Sequence, residues 1–348
     1  MNRTVRVGVW LTVALLQATR VPAENIAAPQ LPIPGALNEE RFIPIGGIEQ
    51  WITIKGDDRA NPVVLMLHGG PGNTLSPFAD AIYGAWEKQF TLVQWDQRAA
   101  GKTFGRNRPA EDDPLTLELM VKDGVAVAEY LRDYFGGRKV ILMGGSWGSA
   151  LGVHMIHTRP DLFAAYIGTS QLVERRANQT ASYRSVLELA RGSGDDKTRA
   201  SLEAMGEPPW TDPRNPGILR RATRAYEAKA TTPAPSAWWT LPPRYATKEI
   251  SADYEAGDDY SYLQFVGLKG EGMFSQVDLT KLGPRFEIPI FIIQGAEDLV
   301  TVLEVTRGWF SSVEAPQKEL MTIERAGHDP NEAVIAAQRA ALQRISDR

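Results

Sequence analysis

The amino-acid sequence predicts an α/β fold in which a mostly parallel, doubly wound sheet carries helices on both faces and is interrupted by an inserted helical segment. Short, continuously apolar runs alternate with helical patterns over residues 41–170 and again over 286–348. Such runs are typical of parallel strands that are buried on both faces. The alternation stops over 171–285, a segment rich in Arg, Ala, Glu and Pro. We therefore assign 41–170 and 286–348 to the core and 171–285 to a cap (lid) domain.

The first residues have the pattern of a targeting segment. Two arginines precede an apolar stretch over 7–16, and Val21-Pro22-Ala23 follows. This order is typical of a signal peptide over 1–23 that is cleaved after Ala23, which predicts an exported, periplasmic or secreted protein. The alternative is an amphipathic N-terminal helix that a cytoplasmic enzyme retains. The Pro- and Ala-rich residues 24–40 are expected to form a linker.

Composition limits the classes of function. The formal net charge of −4 and the lack of a long basic run give no electrostatic footprint for nucleic acid or for an anionic membrane. The absence of cysteine excludes disulfides, thiolate nucleophiles and Cys-ligated metals, and the chain has only four histidines. His154 and His157 lie three residues apart without a third ligand nearby, and we expect them to be ordinary helix residues. We expect no metal, no cofactor and no integral membrane association, and a small-molecule or short-peptide substrate; the oligomeric state stays open.

The core elements follow from the spacing of apolar residues and glycines. Two strands joined at Gly46-Gly47 indicate an antiparallel hairpin at one edge. The elements predicted before the cap are strands 41–45, 48–55 and 62–67, a helix over 77–88, a strand 91–95, a helix over 115–135, a strand 140–143, a helix after it and a strand 163–169. Those predicted after the cap are a strand 288–294, a helix over 302–312, a strand 319–323 and a final helix after His328.

A G-x-S-x-G motif stands where one of these strands meets a helix. Val140 to Met143 form a short buried strand, and Gly144-Gly145-Ser146-Trp147-Gly148 follows directly. In this setting the motif predicts a nucleophile elbow, a sharp turn that exposes the serine hydroxyl above the sheet. Side chains two residues on either side would collide, which explains the glycines. The alternative is an ordinary turn in which Ser146 caps the following helix.

A serine nucleophile needs a base, and the base needs an acid that orients it. Both are expected in loops at the carboxyl ends of later strands, in the order serine, acid, histidine. Asp298 follows one such strand and His328 follows the next. Glu297 and Asp329 compete with Asp298 for the role of the acid.

The same chemistry requires backbone N–H donors for the oxyanion of the intermediate, worth about 3 kcal/mol each. Trp147 follows the nucleophile and is expected to supply one. The other is expected from the glycine-rich loop His68 to Gly72, at Gly70. His68 is a second candidate base, but its place before the glycines favours a bracing role.

The sequence resembles the α/β-hydrolase superfamily and, within it, the proline iminopeptidase-like (S33) peptidases. The matching motifs are HGGPG at 68–72, DQR with a following glycine at 96–101, GGSWGS at 144–149, GAED at 295–298 and GH at 327–328. The resemblance implies a cap glutamate that holds the free amino terminus of the substrate, and Glu227 is the nearest candidate for it. The alternative for Glu227 is a carboxylate on the surface of a helix. Tyr226 stands where the family usually has tryptophan, and Ala99 replaces the glycine after DQR.

We therefore expect a serine hydrolase with an acyl-enzyme intermediate, first of all an aminopeptidase of the proline iminopeptidase type. The alternative is an esterase or amidase that acts on a bulky apolar acyl compound. Dehalogenases and epoxide hydrolases would have aspartate at the nucleophile position, which Ser146 disfavours. A non-catalytic binding protein of the same fold is disfavoured because all three catalytic residue types are present.

Overall fold

The computed structural model describes residues 35–110 and 113–347. The predicted signal peptide and the first part of the linker, residues 1–34, lie outside the described residues. The described chain contains an eight-stranded sheet in the order β1-β2-β4-β3-β5-β6-β7-β8. The strands are β1 Leu37–Ile45, β2 Ile48–Gly56, β3 Val63–Leu67, β4 Thr91–Trp95, β5 Val140–Gly145, β6 Phe163–Thr169, β7 Ile290–Gly295 and β8 Lys318–Ile323. Strand β2 runs antiparallel to its neighbours β1 and β4, and the remaining pairs are parallel.

Helices cover both faces of this sheet, as predicted. They are α1 Ala79–Tyr83, α2 Gly101–Arg106, α3 Leu117–Tyr134, α4 Trp147–Thr158, α5 Arg175–Ser193, α6 Asp196–Met205, α7 Arg214–Ala230, α8 Lys248–Val266, α9 Leu303–Ser312 and α10 Glu332–Ser346. Successive residues of β3 point to opposite faces: Leu65 joins an apolar cluster with α3 and α4, whereas Val64 joins a second cluster with α1 and α10. All five residues of β3 are buried, and burial of both faces under helices confirms the predicted α/β class.

The edge hairpin begins earlier than the sequence predicts. β1 starts at Leu37 and pairs with β2 along its full length, from Leu37 opposite Gly56 to Ile45 opposite Ile48. Residues 37–40, expected to belong to the linker, are therefore part of the sheet. The sequence pattern hid them because Glu39 and Glu40 are polar residues of an edge strand, which is free to be polar on its outer side.

Two other boundaries also differ. The helix predicted over 77–88 is a short α-helix, α1, that continues as a 3₁₀ turn over Gly84–Trp86. Helix α2 was not predicted because it is a short helix that begins at Gly101, a residue with φ +51°. Glycine with a positive φ is typical of turns, so the sequence around Gly101 does not indicate the start of a helix.

Between β6 and β7 the described chain forms helices α5 to α8 and short 3₁₀ turns, over the residues predicted to form the cap. Three of these helices share a small apolar cluster of their own. It is formed by Tyr183, Val186, Leu187, Ala190, Leu202, Trp210, Leu219 and Tyr226. None of the helices in the described part of the chain combines the length and the apolar character that a membrane span requires.

Candidate active site

Ser146 occupies a strained turn between β5 and α4. Its backbone has φ 52° and ψ −120°, and its side chain makes no capping hydrogen bond to α4. A Cβ on Gly144 would lie 2.3 Å from the carbonyl oxygen of Gly148, and a Cβ on Gly148 would lie 2.3 Å from that of Leu67. Both glycines are therefore required by close backbone approach, as the sequence predicted. Ser146 is in the position of a helix cap without acting as one.

The hydroxyl of Ser146 meets His328, which lies in the loop between β8 and α10. Ser146 Oγ is 3.0 Å from His328 Nε2. On the other side of the ring, His328 Nδ1 lies 3.1 Å from Oδ2 and 3.2 Å from Oδ1 of Asp298, in the loop after β7. The structure thus places the three predicted residues in one hydrogen-bonded row, with the ring and the carboxylate buried.

The end of β7 and the loop after it hold the Asp298 carboxylate with several hydrogen-bond donors. Its Oδ1 accepts the backbone N–H groups of Val300 and Thr301, each at 2.8 Å. Its Oδ2 accepts the Thr301 hydroxyl at 2.7 Å and the Gln294 side-chain amide at 2.9 Å. Oxygen atoms with this many donors are fixed in direction, so the carboxylate can orient the imidazole.

Asp298 and His328 each have a pKa shifted in the direction that favours the charged form of the side chain. Burial alone would raise the pKa of Asp298, but the charge of His328 and the hydrogen bonds from His328 and Thr301 outweigh it and hold this pKa below its usual value. Burial alone would lower the pKa of His328, but the Asp298 carboxylate outweighs it and raises this pKa above its usual value. The carboxylate therefore stabilises a protonated imidazole, as a general base requires.

The competing carboxylates have other partners. Glu297 Oε2 accepts the backbone N–H of Ala326 at 3.1 Å. Asp329 is an exposed residue whose carboxylate accepts hydrogen bonds from Arg220 at 2.9 and 3.1 Å. Among the three acidic residues considered, the contact to His328 Nδ1 thus belongs to Asp298.

The glycine-rich loop after β3 lies directly against Ser146. A Cβ on Gly69 would be 3.3 Å from Ser146 Cβ. Gly70 has φ +107°, and a Cβ there would lie 2.4 Å from the backbone nitrogen of Gly72. Trp147 is the first residue of α4, next to the serine. The two predicted oxyanion donors, Gly70 and Trp147, therefore belong to the two segments that adjoin Ser146, the glycine-rich loop and the first turn of α4.

His68 braces this loop. Its Nδ1 is 2.8 Å from the carbonyl oxygen of Gly69, and its Nε2 accepts the backbone N–H of Gln97 at 3.1 Å. Burial lowers the pKa of His68 to about 4, partly opposed by the Gly69 hydrogen bond. The Gln97 side chain donates to the His68 carbonyl and accepts from the Trp147 indole, both at 3.0 Å. A neutral, fully engaged His68 is suited to holding the loop and not to acting as the base.

Asp96, in the DQR motif, forms a buried network that the sequence did not reveal. Its carboxylate accepts hydrogen bonds from the Ser76 hydroxyl (2.6 Å), the Lys102 backbone N–H (2.9 Å) and the Tyr254 hydroxyl of α8 (3.1 Å). Burial raises the pKa of Asp96 to about 6, although these hydrogen bonds oppose the shift. Asp96 belongs to the DQR motif that matches the family, but no local signal pointed to its partner Tyr254.

Glu227 lies beside the loops of the acid and the base. Its Oε1 accepts the backbone N–H of Leu299 at 2.8 Å, and its Oε2 is 3.7 Å from Arg220. A Cβ on Gly327 would lie 3.1 Å from its carboxyl carbon. Burial raises the pKa of Glu227, and the Asp298 charge adds to the increase. Glu227 is therefore a buried residue and not a surface carboxylate of α7.

A second cap carboxylate, Asp258 of α8, was not singled out from the sequence. It packs on the glycine-rich loop so closely that a Cβ on Gly72 would lie 2.5 Å from Asp258 Cα and 2.9 Å from its Oδ1. Partial desolvation raises the pKa of Asp258, and the charge of Asp259 contributes. Two cap carboxylates therefore lie near the site, Glu227 beside the acid and base loops and Asp258 on the glycine-rich loop.

The family model and the named relatives that this chain matches point to the same family. The sequence model of a family described as alpha/beta hydrolase fold matches residues 62–332. A probable aminopeptidase of Bacillus subtilis is 27% identical over 292 residues, which cover 82% of this chain and 89% of that protein. A probable proline iminopeptidase of Streptomyces coelicolor is 26% identical over 309 residues, with the same coverage of 82% and 89%.

Solved structures share the fold at lower identity. A proline iminopeptidase-related protein of Thermus thermophilus superposes with a TM-score of 0.58 at 19% identity, covering 88% of this chain and 98% of that one. A thermophilic esterase of Thermogutta terrifontis gives a TM-score of 0.55 at 18% identity, covering 88% and 99%. At these identities the likeness establishes the architecture alone, and it is common to peptidases and esterases.

Proposed function

Because this chain belongs to the alpha/beta hydrolase family, a family of hydrolytic enzymes, we propose that it is a serine hydrolase that uses Ser146, His328 and Asp298. The observation that carries the proposal is the hydrogen-bonded row from Ser146 Oγ to His328 Nε2, at 3.0 Å, and from His328 Nδ1 to Asp298, at 3.1 Å. A serine hydroxyl becomes an effective nucleophile only when a base is positioned to take its proton.

In the proposed reaction, Ser146 Oγ attacks the carbonyl carbon of the substrate while His328 Nε2 takes the hydroxyl proton. Asp298 stabilises the imidazolium that forms and stays ionised. His328 then gives the proton to the leaving amine or alcohol, which leaves an acyl group on Ser146. Water, activated by His328, attacks this acyl-serine and releases the acid, which restores the free hydroxyl.

The backbone N–H groups of Gly70 and Trp147 are proposed to bind the oxyanion of each tetrahedral intermediate. The packing of Gly69 against Ser146 supports this role, because it places the glycine-rich loop next to the nucleophile that the substrate carbonyl must approach. The hydrogen bonds between His68 and Gln97 hold the loop in this position before the substrate binds. Donors fixed in advance stabilise the transition state without a cost of reorganisation.

The substrate class that we propose is a peptide or amide with a free amino terminus, as for an aminopeptidase of the proline iminopeptidase type. The names of the Bacillus and Streptomyces relatives support this choice. Two cap carboxylates near the site also support it. Glu227 and Asp258 both have raised pKa values from burial or partial desolvation, and a substrate ammonium would favour their charged forms.

An esterase or amidase for bulky apolar acyl groups is the second candidate. The observation that favours it is an apolar surface at the cap, where Trp239 is 43% exposed and Leu241 is 42% exposed. The Trp239 ring packs edge-to-face on Phe78, with 5.4 Å between centroids, shortly after the glycine-rich loop. Such a surface is suited to a large acyl group.

A side-by-side assay separates the two candidates. Proline and alanine arylamides are compared with short- and long-chain aryl esters at the same enzyme concentration. A peptidase is expected to have the higher kcat/KM on the arylamides with a free amine and to lose it when that amine is acetylated. An esterase is expected to prefer the long-chain ester and to ignore the amine. A preference for the acetylated arylamide would contradict the aminopeptidase proposal.

A further inference from the structure

One face of helix α8 covers both segments that we propose to form the oxyanion hole. Four residues of α8, spaced by four, three and four positions, share this face, as expected for helical periodicity. They are Tyr254, Asp258, Ser261 and Phe265. Asp258 packs on Gly72 of the glycine-rich loop, and the Phe265 ring packs edge-to-face on Trp147 with 5.4 Å between centroids. A single cap helix therefore touches the loop of Gly70 and the side chain of Trp147.

Helix α8 is also fastened to the loop that follows β4. The Ser261 hydroxyl donates to the carbonyl oxygen of Ala99 at 2.7 Å. A Cβ on Gly257 would lie 3.2 Å from the same oxygen, so the helix backbone approaches closely here. The position of α8 on the core is thus defined along most of its length.

A second polar link on this face runs through Asp96. The Tyr254 hydroxyl donates to Asp96 Oδ2 at 3.1 Å, and the Ser76 hydroxyl donates to Asp96 Oδ1 at 2.6 Å. The two hydroxyl oxygens are 3.2 Å apart. The carboxylate is fully buried. Because Ser76 lies four residues after Gly72 in the same connection between β3 and α1, one buried carboxylate joins the cap helix to the glycine-rich loop.

We propose that Tyr254 is a positioning residue for the oxyanion hole: through Asp96 and Ser76 it holds the glycine-rich loop under α8, so that the Gly70 N–H faces the oxyanion. The inference rests on the proposed serine hydrolase function. Its physical basis is that hydrogen bonds to an ionised group in a buried site are strong and directional. A loop that is released on one side presents its donor at a changed distance, and an oxyanion hole depends on that distance.

The test compares Tyr254→Phe with the wild-type protein in two reactions. The first is hydrolysis of an aryl acetate, and the second is the rate of inactivation by a fluorophosphonate, which also develops charge on an oxygen in the hole. Complete loss of one donor costs about 100- to 1,000-fold in kcat, so a displaced donor is expected to cost about 10-fold. We expect kcat and the inactivation rate to fall by the same factor, with KM changed by less than about two-fold.

Tyr262→Phe is the matched control, since Tyr262 lies on the same helix, is 40% exposed, and has a hydroxyl that contacts the backbone of Pro213 and Gly217 instead of Asp96. It is expected to leave both rates unchanged. Ser76→Ala breaks the same network from the loop side without altering the cap, so it remains informative if Tyr254→Phe folds poorly. The double variant is expected to lose no more than the more impaired single variant, because the two residues act through one carboxylate.

Three results would overturn the inference: an unchanged kcat and inactivation rate in Tyr254→Phe, an equal loss in Tyr262→Phe, or losses of Tyr254→Phe and Ser76→Ala that simply multiply. A lowered melting temperature with normal rates would likewise assign Tyr254 a purely structural role. Failure of the proposed function is distinguishable, because the wild-type protein would then not react with the fluorophosphonate at Ser146.

Discussion

The hydroxyl of Ser146 lies 3.0 Å from Nε2 of His328, although 182 residues separate them in the chain. The sheet brings them together: β5 pairs with β6, β6 with β7 and β7 with β8, and all three pairs are parallel. The loops after β5, β7 and β8 therefore emerge at the same edge of the sheet.

Substitution of the acid tests whether Asp298 orients the base. Asp298→Asn keeps the size of the side chain but removes the charge that favours the imidazolium, so kcat is expected to fall by about 10⁴-fold. Asp329→Asn is the control, because Asp329 is exposed and its carboxylate contacts Arg220 instead. It is expected to retain kcat within a few fold. A larger loss for Asp329→Asn than for Asp298→Asn would transfer the acid role to Asp329.

The pH profile tests the pairing of His328 with Asp298. The base must be neutral to accept a proton, so kcat/KM rises with pH through the pKa of His328 in the free enzyme. Because the Asp298 carboxylate outweighs burial and raises this pKa, the acidic limb is expected above the ordinary value of about 6.5. An aryl acetate is the appropriate substrate, since it has no amine that titrates. A limb at or below that value would contradict the pairing.

Substitution of Glu227 distinguishes the aminopeptidase from the esterase candidate. Pairing of its carboxylate with a substrate ammonium is worth about 1.5 to 3 kcal/mol, so Glu227→Gln is expected to lower kcat/KM for aminoacyl arylamides by about 10- to 150-fold. The glutamine retains a carbonyl oxygen that can accept the Leu299 N–H, so the loop of Asp298 keeps its contact. Aryl acetate hydrolysis is therefore expected to change little.

The measurement for Glu227 is the ratio of kcat/KM on the aminoacyl arylamide to kcat/KM on the aryl acetate. A loss of folded protein lowers both values equally and leaves this ratio unchanged. Equal effects on both substrates, or none on either, would remove Glu227 from the amine site and favour the esterase.

The elbow glycines offer a matched test of stability. A Cβ on Gly144 would lie 2.3 Å from the Gly148 carbonyl oxygen, whereas the nearest atom to a Cβ on Gly145 is 4.0 Å away. Forcing atoms into a filled site costs about 1 to 3 kcal/mol or more. Urea unfolding is expected to show this loss for Gly144→Ala and a much smaller change for Gly145→Ala. Equal losses of unfolding free energy in the two variants would mean that the space around Gly144 can accommodate a methyl group, against the short Cβ distance.

The sequence was sufficient for the parts of the site that are encoded locally. Ser146 is marked by glycines that the turn requires, and Asp298 and His328 each follow a strand at a fixed place in the order of the fold. By contrast, Asp96 and Tyr254 are 158 residues apart, and Tyr254 lies in the cap, where no alternation of strands and helices fixes its position. Pairings across such a segment depend on tertiary packing, for which the local pattern has no signal.

The same distinction applies to the fold. The central strands β3 to β7 were placed within two residues because nearly all of their positions are buried and most of them are apolar. The edge strand β1 was predicted four residues too short, at Leu37 to Glu40, because an edge exposes one side to water and its polar residues obscure the pattern.

The measurement that tests the central claim most directly is peptide mapping by mass spectrometry after reaction with a fluorophosphonate. The account predicts one adduct per chain, on the peptide that contains Ser146, and no adduct in Ser146→Ala. It also predicts that Ser146→Ala folds normally and loses far more than about 100-fold of its turnover. An adduct on another residue, or labelling and turnover that persist in Ser146→Ala, would contradict the assignment of Ser146 as the nucleophile.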